Sequence, residues 1–206
     1  MDRLSVSVIA VGCLLLAGTA VPAFAQSAGI GTRPTLGVYG GLTFPRGDLT
    51  DEVGAGWNAG AMFKIRAYKA LDLRLDGTYI KFGRKDIEGT TVPIQTDGEI
   101  RAGTVSGLLN LGPDSAAYPG DNSVSPYLIG GIGKYRLNYD ATCNGCSPSP
   151  DPGIKTHWGV NLGFGATAPI VGVRTFFEAR YNRLSRSLGE GGARSFFLLS
   201  AGIKIR

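Results

Sequence analysis

The sequence predicts an all-β protein whose eight antiparallel strands close into an up-and-down β-barrel. Three observations carry that expectation. Apolar and polar residues alternate with period two along segments of about ten residues, the pattern of a strand with two unlike faces. The connections between these segments alternate short and long. Glycine is abundant: 32 of 206 residues, more than twice the ordinary usage of about 7%. Each Gly in a helix interior costs about 1 kcal/mol relative to Ala, so helix-rich folds are disfavoured. The single His excludes multi-histidine metal sites. The net charge of +5 is mild and unclustered, which excludes a dedicated nucleic-acid binder.

Residues 1–25 read as a secretory signal peptide. Arg3 supplies a basic start, Val6 to Ala20 is almost wholly apolar, and Ala23-Phe24-Ala25 is a small-x-small cleavage site. Cleavage would fall between Ala25 and Gln26, followed by a short lead over 26–34 and a barrel domain over 35–206. An uncleaved anchor is the alternative, and the short apolar core argues against it. Cys13 follows Gly12 but lacks the rest of a lipoprotein box.

The eight expected strands run over 35–44, 56–67, 71–82, 99–112, 125–139, 157–167, 174–183 and 194–205. The second shows the pattern best. Trp57, Ala59, Ala61, Phe63, Ile65 and Ala67 share one face, and Asn58, Gly60, Met62, Lys64 and Arg66 the other. In the third, Leu71, Leu73, Leu75 and Tyr79 oppose Asp72, Arg74, Asp76 and Thr78. Segments 68–70 and 168–173 are short, whereas 45–55, 83–98, 140–156 and 184–193 are longer and rich in Gly, Pro, Asp and Ser. Segment 113–124 should be short and is not, although Pro113, Pro119, Gly120 and Asp121 mark it as a loop.

A soluble barrel would turn its apolar face inward. Three features favour the inverse, a transmembrane barrel with short periplasmic turns and long extracellular loops. Aromatic residues lie near strand ends on the apolar face: Phe44, Trp57, Tyr127, Tyr135, Trp158 and Tyr181. That face also uses small residues freely, as at Ala59, Ala61, Gly131 and Gly133. The third feature is the alternation of loop lengths. Trp57, Phe63, Trp158, Phe164 and Phe197 are therefore expected to face lipid.

Some of these segments resemble a known family. Ser125-Pro-Tyr-Leu-Ile-Gly-Gly-Ile-Gly-Lys-Tyr135 is similar to the central strand of the eight-stranded outer-membrane β-barrel family, which includes the opacity-type surface proteins and the barrel of outer membrane protein A. Trp158 to Gly165 resembles that family's next strand, and Phe176-Phe-Glu-Ala-Arg-Tyr181 its seventh. The resemblance covers nearly all of the expected mature chain, in order. It implies a bacterial outer-membrane location, insertion by the barrel-assembly machinery, a monomer, and contact with outer-membrane lipid including lipopolysaccharide. One departure is plain: such chains usually end in an aromatic residue, and this one ends Ile203-Lys204-Ile205-Arg206.

Among candidate chemistries, Gly130-Gly-Ile-Gly133-Lys134 lacks the spacing and the Ser or Thr of a phosphate loop, and strand glycines are the plainer reading. Cys143-Asn-Gly-Cys146 reads as a disulfide pinning the longest loop, with free thiols, a redox pair or half a metal site as alternatives. His157, with Ser185 and Ser187 on a nearby loop, is the one opening for a lipid-modifying enzyme, but no motif links them. No cofactor is expected. By alternation Lys64, Arg66, Asp72, Arg74, Asp76, Lys134, Arg136, Glu178, Arg180 and Lys204 should point into the lumen, with Glu178 paired to Arg180, Arg74 or Arg136. Eight strands enclose a lumen just wide enough for side chains, so these charges are expected to form a salt-bridged plug. The function expected is structural and surface display. A narrow, weakly anion-selective porin is the alternative, and a barrel enzyme the less favoured third.

Overall fold

The computed structural model describes residues 34–68, 70–83, 85–86, 94–112, 124–143, 155–185 and 194–205. The expected signal peptide with its Ala25–Gln26 junction, Cys146 and Ser187 lie outside the described residues.

Eight long strands form one closed sheet: β1 (Thr35–Arg46), β2 (Gly54–Arg66), β3 (Leu71–Gly83), β4 (Ile94–Asn110), β5 (Ser125–Cys143), β6 (Lys155–Ile170), β7 (Val173–Leu184) and β8 (Ser195–Ile205). Every neighbouring pair is antiparallel. β1 pairs with β2 on one side and with β8 on the other, from Leu36 opposite Ile205 to Arg46 opposite Ser195. The β3–β4 pairing, from Leu71 opposite Leu109 to Lys81 opposite Glu99, completes the circle. Closure removes the sheet edges that would otherwise expose unpaired backbone groups in lipid. Among the described residues no helix is long and apolar enough to cross a membrane.

Each strand runs between a turn rim and a loop rim. At the turn rim β2 and β3 are joined through 67–70, and β6 and β7 through Val171 and Gly172, both at positive φ. At the loop rim β4 and β5 pair beyond the expected limits, up to Ile94 opposite Cys143. The added positions, such as Gln95, Thr96, Asp97, Ala141 and Thr142, have no apolar alternation. Backbone pairing continues there without leaving a hydropathy signal.

Side chains alternate across the wall as a barrel requires. Leu36, Val38, Leu42, Leu73, Leu75, Ile132, Val160, Leu162, Phe177 and Ile203 stand exposed on the outside. Trp57, Phe63, Trp158, Phe164 and Phe197 share that outward phase. An exposed apolar belt of this extent is the signature of a wall facing lipid.

Strand β5 corrects the expected orientation. Tyr127 and Tyr135 point inward, at 2% and 1% exposure. Gly131 and Gly133 share their phase, so these four residues do not belong to the outer face. The outer face of β5 carries Leu128, Gly130, Ile132, Lys134 and Arg136 instead. Inward rings fit because neighbouring strands offer glycines beneath them. A Cβ at Gly165 would come within 2.5 Å of the Tyr127 ring, and one at Gly159 within 2.7 Å of Tyr135. Tyr39 uses Gly60 in the same way.

Candidate functional site

The lumen is built in three levels. At the loop rim it is apolar. A single helical turn, α1 (Leu49–Glu52), folds over the mouth, with Val53 N–H donating to the Leu49 carbonyl at 3.1 Å. Leu49 and Val53 are fully buried against a cluster that includes Ile80, Phe82, Ile100, Leu137, Leu184, Phe196 and Leu198. Phe196 packs edge-on against both Phe82 and Tyr135. This level was not anticipated from the sequence.

The middle level holds four charges in an alternating ring. Arg74 donates from Nη2 and Nε to Asp76 Oδ1 at 2.6 and 2.9 Å, and from Nη1 to Glu178 Oε2 at 2.8 Å. Arg180 donates from Nε to Glu178 Oε1 at 3.0 Å and also through Nη2. Its Nη2 lies 3.6 Å from Asp76 Oδ1, which closes the ring. Two bases and two acids cancel, and all four side chains are nearly inaccessible. Arg74 and Asp76 sit on β3, Glu178 and Arg180 on β7. In an eight-stranded circle these strands face each other, so the quartet is a brace across the lumen.

Aromatic residues complete the brace. Tyr127 donates to Glu178 Oε2 at 2.9 Å, and Tyr39 to Asp76 Oδ1 at 3.3 Å. The Arg74 guanidinium lies 5.6 Å from the Tyr39 ring centre and 5.5 Å from that of Phe176. Tyr135 donates to Asn182 Oδ1 at 3.0 Å. Desolvated charges of this kind persist only when each finds opposite charge and hydrogen bonds, and here each does.

The lowest level, near the turn rim, carries more bases than acids among the described residues. Lys64 Nζ contacts Asp72 Oδ2 at 2.5 Å and Arg66 Nε contacts Asp72 Oδ1 at 3.0 Å, so one acid serves two bases. Asn110 also donates to Asp72, at 3.1 Å. Lys204 donates to Thr167 at 2.6 Å and lies over the rings of Tyr127 and Phe176.

Two residues assigned to the lumen are not in it. Lys134 and Arg136 are exposed on the outer wall, and Arg136 is no partner of Glu178. The inward positions of β5 are taken by bulky residues that fill space and hydrogen-bond, which leaves its outward positions to the cations. Lys134 Nζ lies 5.0 Å from the Trp158 ring centre. Arg101, 69% exposed, donates to Glu99 at 2.8 Å. In register, Lys81 is opposite Glu99, Arg101 opposite both Tyr79 and Arg136, and Lys134 opposite Trp158.

These groups belong to a wider asymmetry of the wall. Among the strand residues whose side chains are described, the outward-facing charges are Arg46, Lys81, Glu99, Arg101, Lys134, Arg136 and Arg183, all in the half nearer the loop rim. The outward positions near the turn rim are apolar, as at Leu36, Leu71, Leu109, Ile170, Val173 and Ile205. The aromatic pairs Trp57–Tyr79 and Tyr181–Phe197 also lie in the loop-rim half.

The remaining candidates are dispersed. His157 is buried inside the mouth, opposite Tyr135 in register, while Ser185 is exposed beyond the end of β7. No group of three or more His, Cys, Asp or Glu suited to a metal occurs among the described residues. Cys143 ends β5, and its expected partner Cys146 lies outside the described residues.

Residues 11–203 match the family described as outer membrane protein beta-barrel domain. No curated protein matches the chain. Among solved structures, the chain is similar to Neisserial surface protein A, with 18% identity, a TM-score of 0.53, and coverage of 85% of this chain and 98% of that one. It is also similar to the outer membrane protein OprG from Pseudomonas aeruginosa, with 13% identity, a TM-score of 0.50, and coverage of 85% and 97%. At these identities the likeness concerns the fold.

Proposed function

The chain belongs to the outer membrane protein β-barrel domain family and resides in the bacterial outer membrane, and from that premise we propose that it is a closed structural and surface-display barrel, not a pore. The observation that carries this reading is a lumen filled at two successive levels, by the apolar cluster around Leu49 and Phe196 and by the Arg74–Asp76–Glu178–Arg180 brace. A solute crossing would have to displace both, and separating the brace would leave unpaired buried charges. The barrel then serves as a rigid frame for the segments that join the strands at the loop rim. In this reading it acts as a monomer inserted by the barrel-assembly machinery, and it uses no cofactor.

Planar-bilayer conductance of the refolded protein tests the proposal. The expected result is no steady single-channel current. A stable open level would replace this reading with a narrow pore, and the excess of Lys64, Arg66 and Lys204 over Asp72 near the turn rim would then favour anions. Catalysis is not part of the proposal: His157 points into the packed mouth while Ser185 is exposed beyond the strand end.

A further inference from the structure

The lumen below the charged brace is lined by cations. Lys64 and Arg66 on β2, Arg174 on β7 and Lys204 on β8 share the inward phase there. Asp72 is the one acid at this level among the described residues, and its two oxygens already serve Lys64, Arg66 and Asn110. Counting Asp114 and Asp121 of segment 113–123 at this level still leaves bases in the majority, and the adjoining stretches add Arg33, Lys69 and Arg206. Solvent reaches this level, since the Lys64 and Arg66 side chains are 16% and 25% exposed. The Lys204 ammonium donates to Thr167 at 2.6 Å and lies 5.4 Å from the Tyr127 ring centre and 5.2 Å from that of Phe176. Among the described residues no acid pairs with it. Its register neighbour on β7 is Arg174, a like charge on the same inward face. On its other side, Lys204 is opposite Gly37 of β1 and Lys64 is opposite Thr35, so a further base flanks it across one strand. Like charges directly opposite each other destabilise a sheet. An ammonium withdrawn from water needs opposite charge, and ring faces supply only part of that attraction.

We propose that Lys204, Arg174 and Thr167 form a binding site for a small tetrahedral oxyanion of the phosphate class, entered from the turn rim, which in a transmembrane barrel opens to the periplasm. An anion held between Lys204 and Arg174 replaces their repulsion by two charge-assisted contacts. Arg174, two residues past the Gly172 turn, offers a planar fork that matches two oxygens of one ligand. Lys204 supplies a point charge beneath the aromatic rings. The Thr167 oxygen accepts from Lys204, which leaves the hydroxyl hydrogen to donate to a third ligand oxygen. Tyr127 and Phe176 close the inner end, because Tyr127 is bound to Glu178 and Phe176 packs against Arg74, both members of the brace. A lumen of eight strands is just wide enough for side chains, so the ligand must be no larger than a simple ion such as inorganic phosphate. Nucleotides and lipid headgroups with their chains are excluded by size. The site needs an opening at one rim only, so it does not depend on whether the lumen conducts.

The test uses the folded full-length barrel in a phosphorus-free zwitterionic detergent at neutral pH. The probe is inorganic phosphate, with sodium chloride holding the ionic strength constant. The linewidth of the phosphate resonance in phosphorus NMR reports binding. The expected result is saturable broadening by the parent protein. Lys204→Met and Arg174→Gln should each weaken binding about tenfold, the factor contributed by one hydrogen bond to a charged group. Lys204→Met removes an enclosed charge while keeping most of the bulk, and retained heat-modifiable gel mobility shows that it is folded. Arg174→Gln, at the rim, serves should Lys204→Met not fold. As a positional control, Arg136→Gln on the outer wall should leave affinity within about twofold, because exposed charges remote from a site are screened by salt. Absence of saturable broadening in the parent overturns the proposal and leaves Lys204 to Thr167 and the two rings. Unchanged affinity in the folded lumenal variants overturns the location. Displacement of phosphate by an equal concentration of acetate overturns the tetrahedral assignment in favour of a carboxylate. A loss in Arg136→Gln as large as that in Arg174→Gln would replace a discrete site with general attraction to a basic protein.

Discussion

Two arginine pairs occupy this barrel at different levels and on opposite faces of its wall. Arg74 and Arg180 are enclosed in the lumen, each bound to two acids, with aromatic rings packed around them. Arg101 and Arg136 stand adjacent in register on the outside, where Arg101 is 69% exposed and held by one acid. The residue type is the same, but the physical work is not. An enclosed guanidinium is tolerated only because its partners are fixed, so geometry and stability depend on it. An exposed one toward the loop rim keeps its hydration, so little of the fold's stability depends on it.

The largest expected effect lies in the enclosed pair. Glu178→Gln removes the negative charge shared by Arg74 and Arg180 while keeping a group able to accept from Tyr127. It should cost about 3–5 kcal/mol, because two guanidiniums are left facing one acid, Asp76. Urea unfolding of the barrel in lipid vesicles gives the number. A loss below about 1 kcal/mol would mean that water screens the brace, and the contrast between the two pairs would collapse.

The enclosed pair was legible because its strands are cleanly two-faced. On β3, Leu71, Leu73 and Leu75 set the outer phase, so Asp72, Arg74 and Asp76 had to point inward. On β7 the outward phase of Phe177 and Tyr181 did the same for Glu178 and Arg180. Of the exposed pair, Arg136 is misassigned from the sequence, together with Lys134, because β5 has no such contrast. Leu128 and Ile132 share a phase with Lys134 and Arg136, and Tyr127 and Ile129 share one with Tyr135 and Leu137. Reading charge as inward chose the wrong phase. The deciding facts are long-range: glycines on β6 that seat the two tyrosines, and the inward acceptors Glu178 and Asn182 on β7. The apolar level of the mouth was hidden for a related reason. Phe196-Phe197-Leu198-Leu199 is apolar on both faces, so alternation says nothing about what fills the inside.

That apolar level sharpens the comparison next. Leu49 is carried by a loop turn and is fully buried among strand side chains. Leu49→Ala should cost about 2–4 kcal/mol if the mouth cannot collapse around the gap. A change under about 0.5 kcal/mol, the range of surface substitutions, would show that α1 merely rests on the barrel, leaving the charged brace as its sole closed level.

A smaller effect tests the phase of β5 from the inside. Tyr135→Phe deletes the hydroxyl that donates to Asn182 Oδ1 and keeps the ring that covers Gly159. The expected loss is about 0.5–1.5 kcal/mol, the net contribution of one buried hydrogen bond. An outward Tyr135 would lose nothing in the same urea unfolding.

The smallest effect is expected from the other phase of the same strand. Arg136 is exposed and opposite Arg101 in register, a like-charge neighbour that slightly disfavours both. Arg136→Gln therefore removes some repulsion and no desolvated partner. Its unfolding free energy in zwitterionic vesicles should stay within about 0.5 kcal/mol of the parent, as for most exposed substitutions. The sign carries information. A slight gain fits two cations that meet only lipid headgroups or water. A loss of about 3 kcal/mol or more, the size expected of a broken enclosed pair, would return Arg136 to the lumen beside Glu178 and dissolve the distinction between the two arginine pairs.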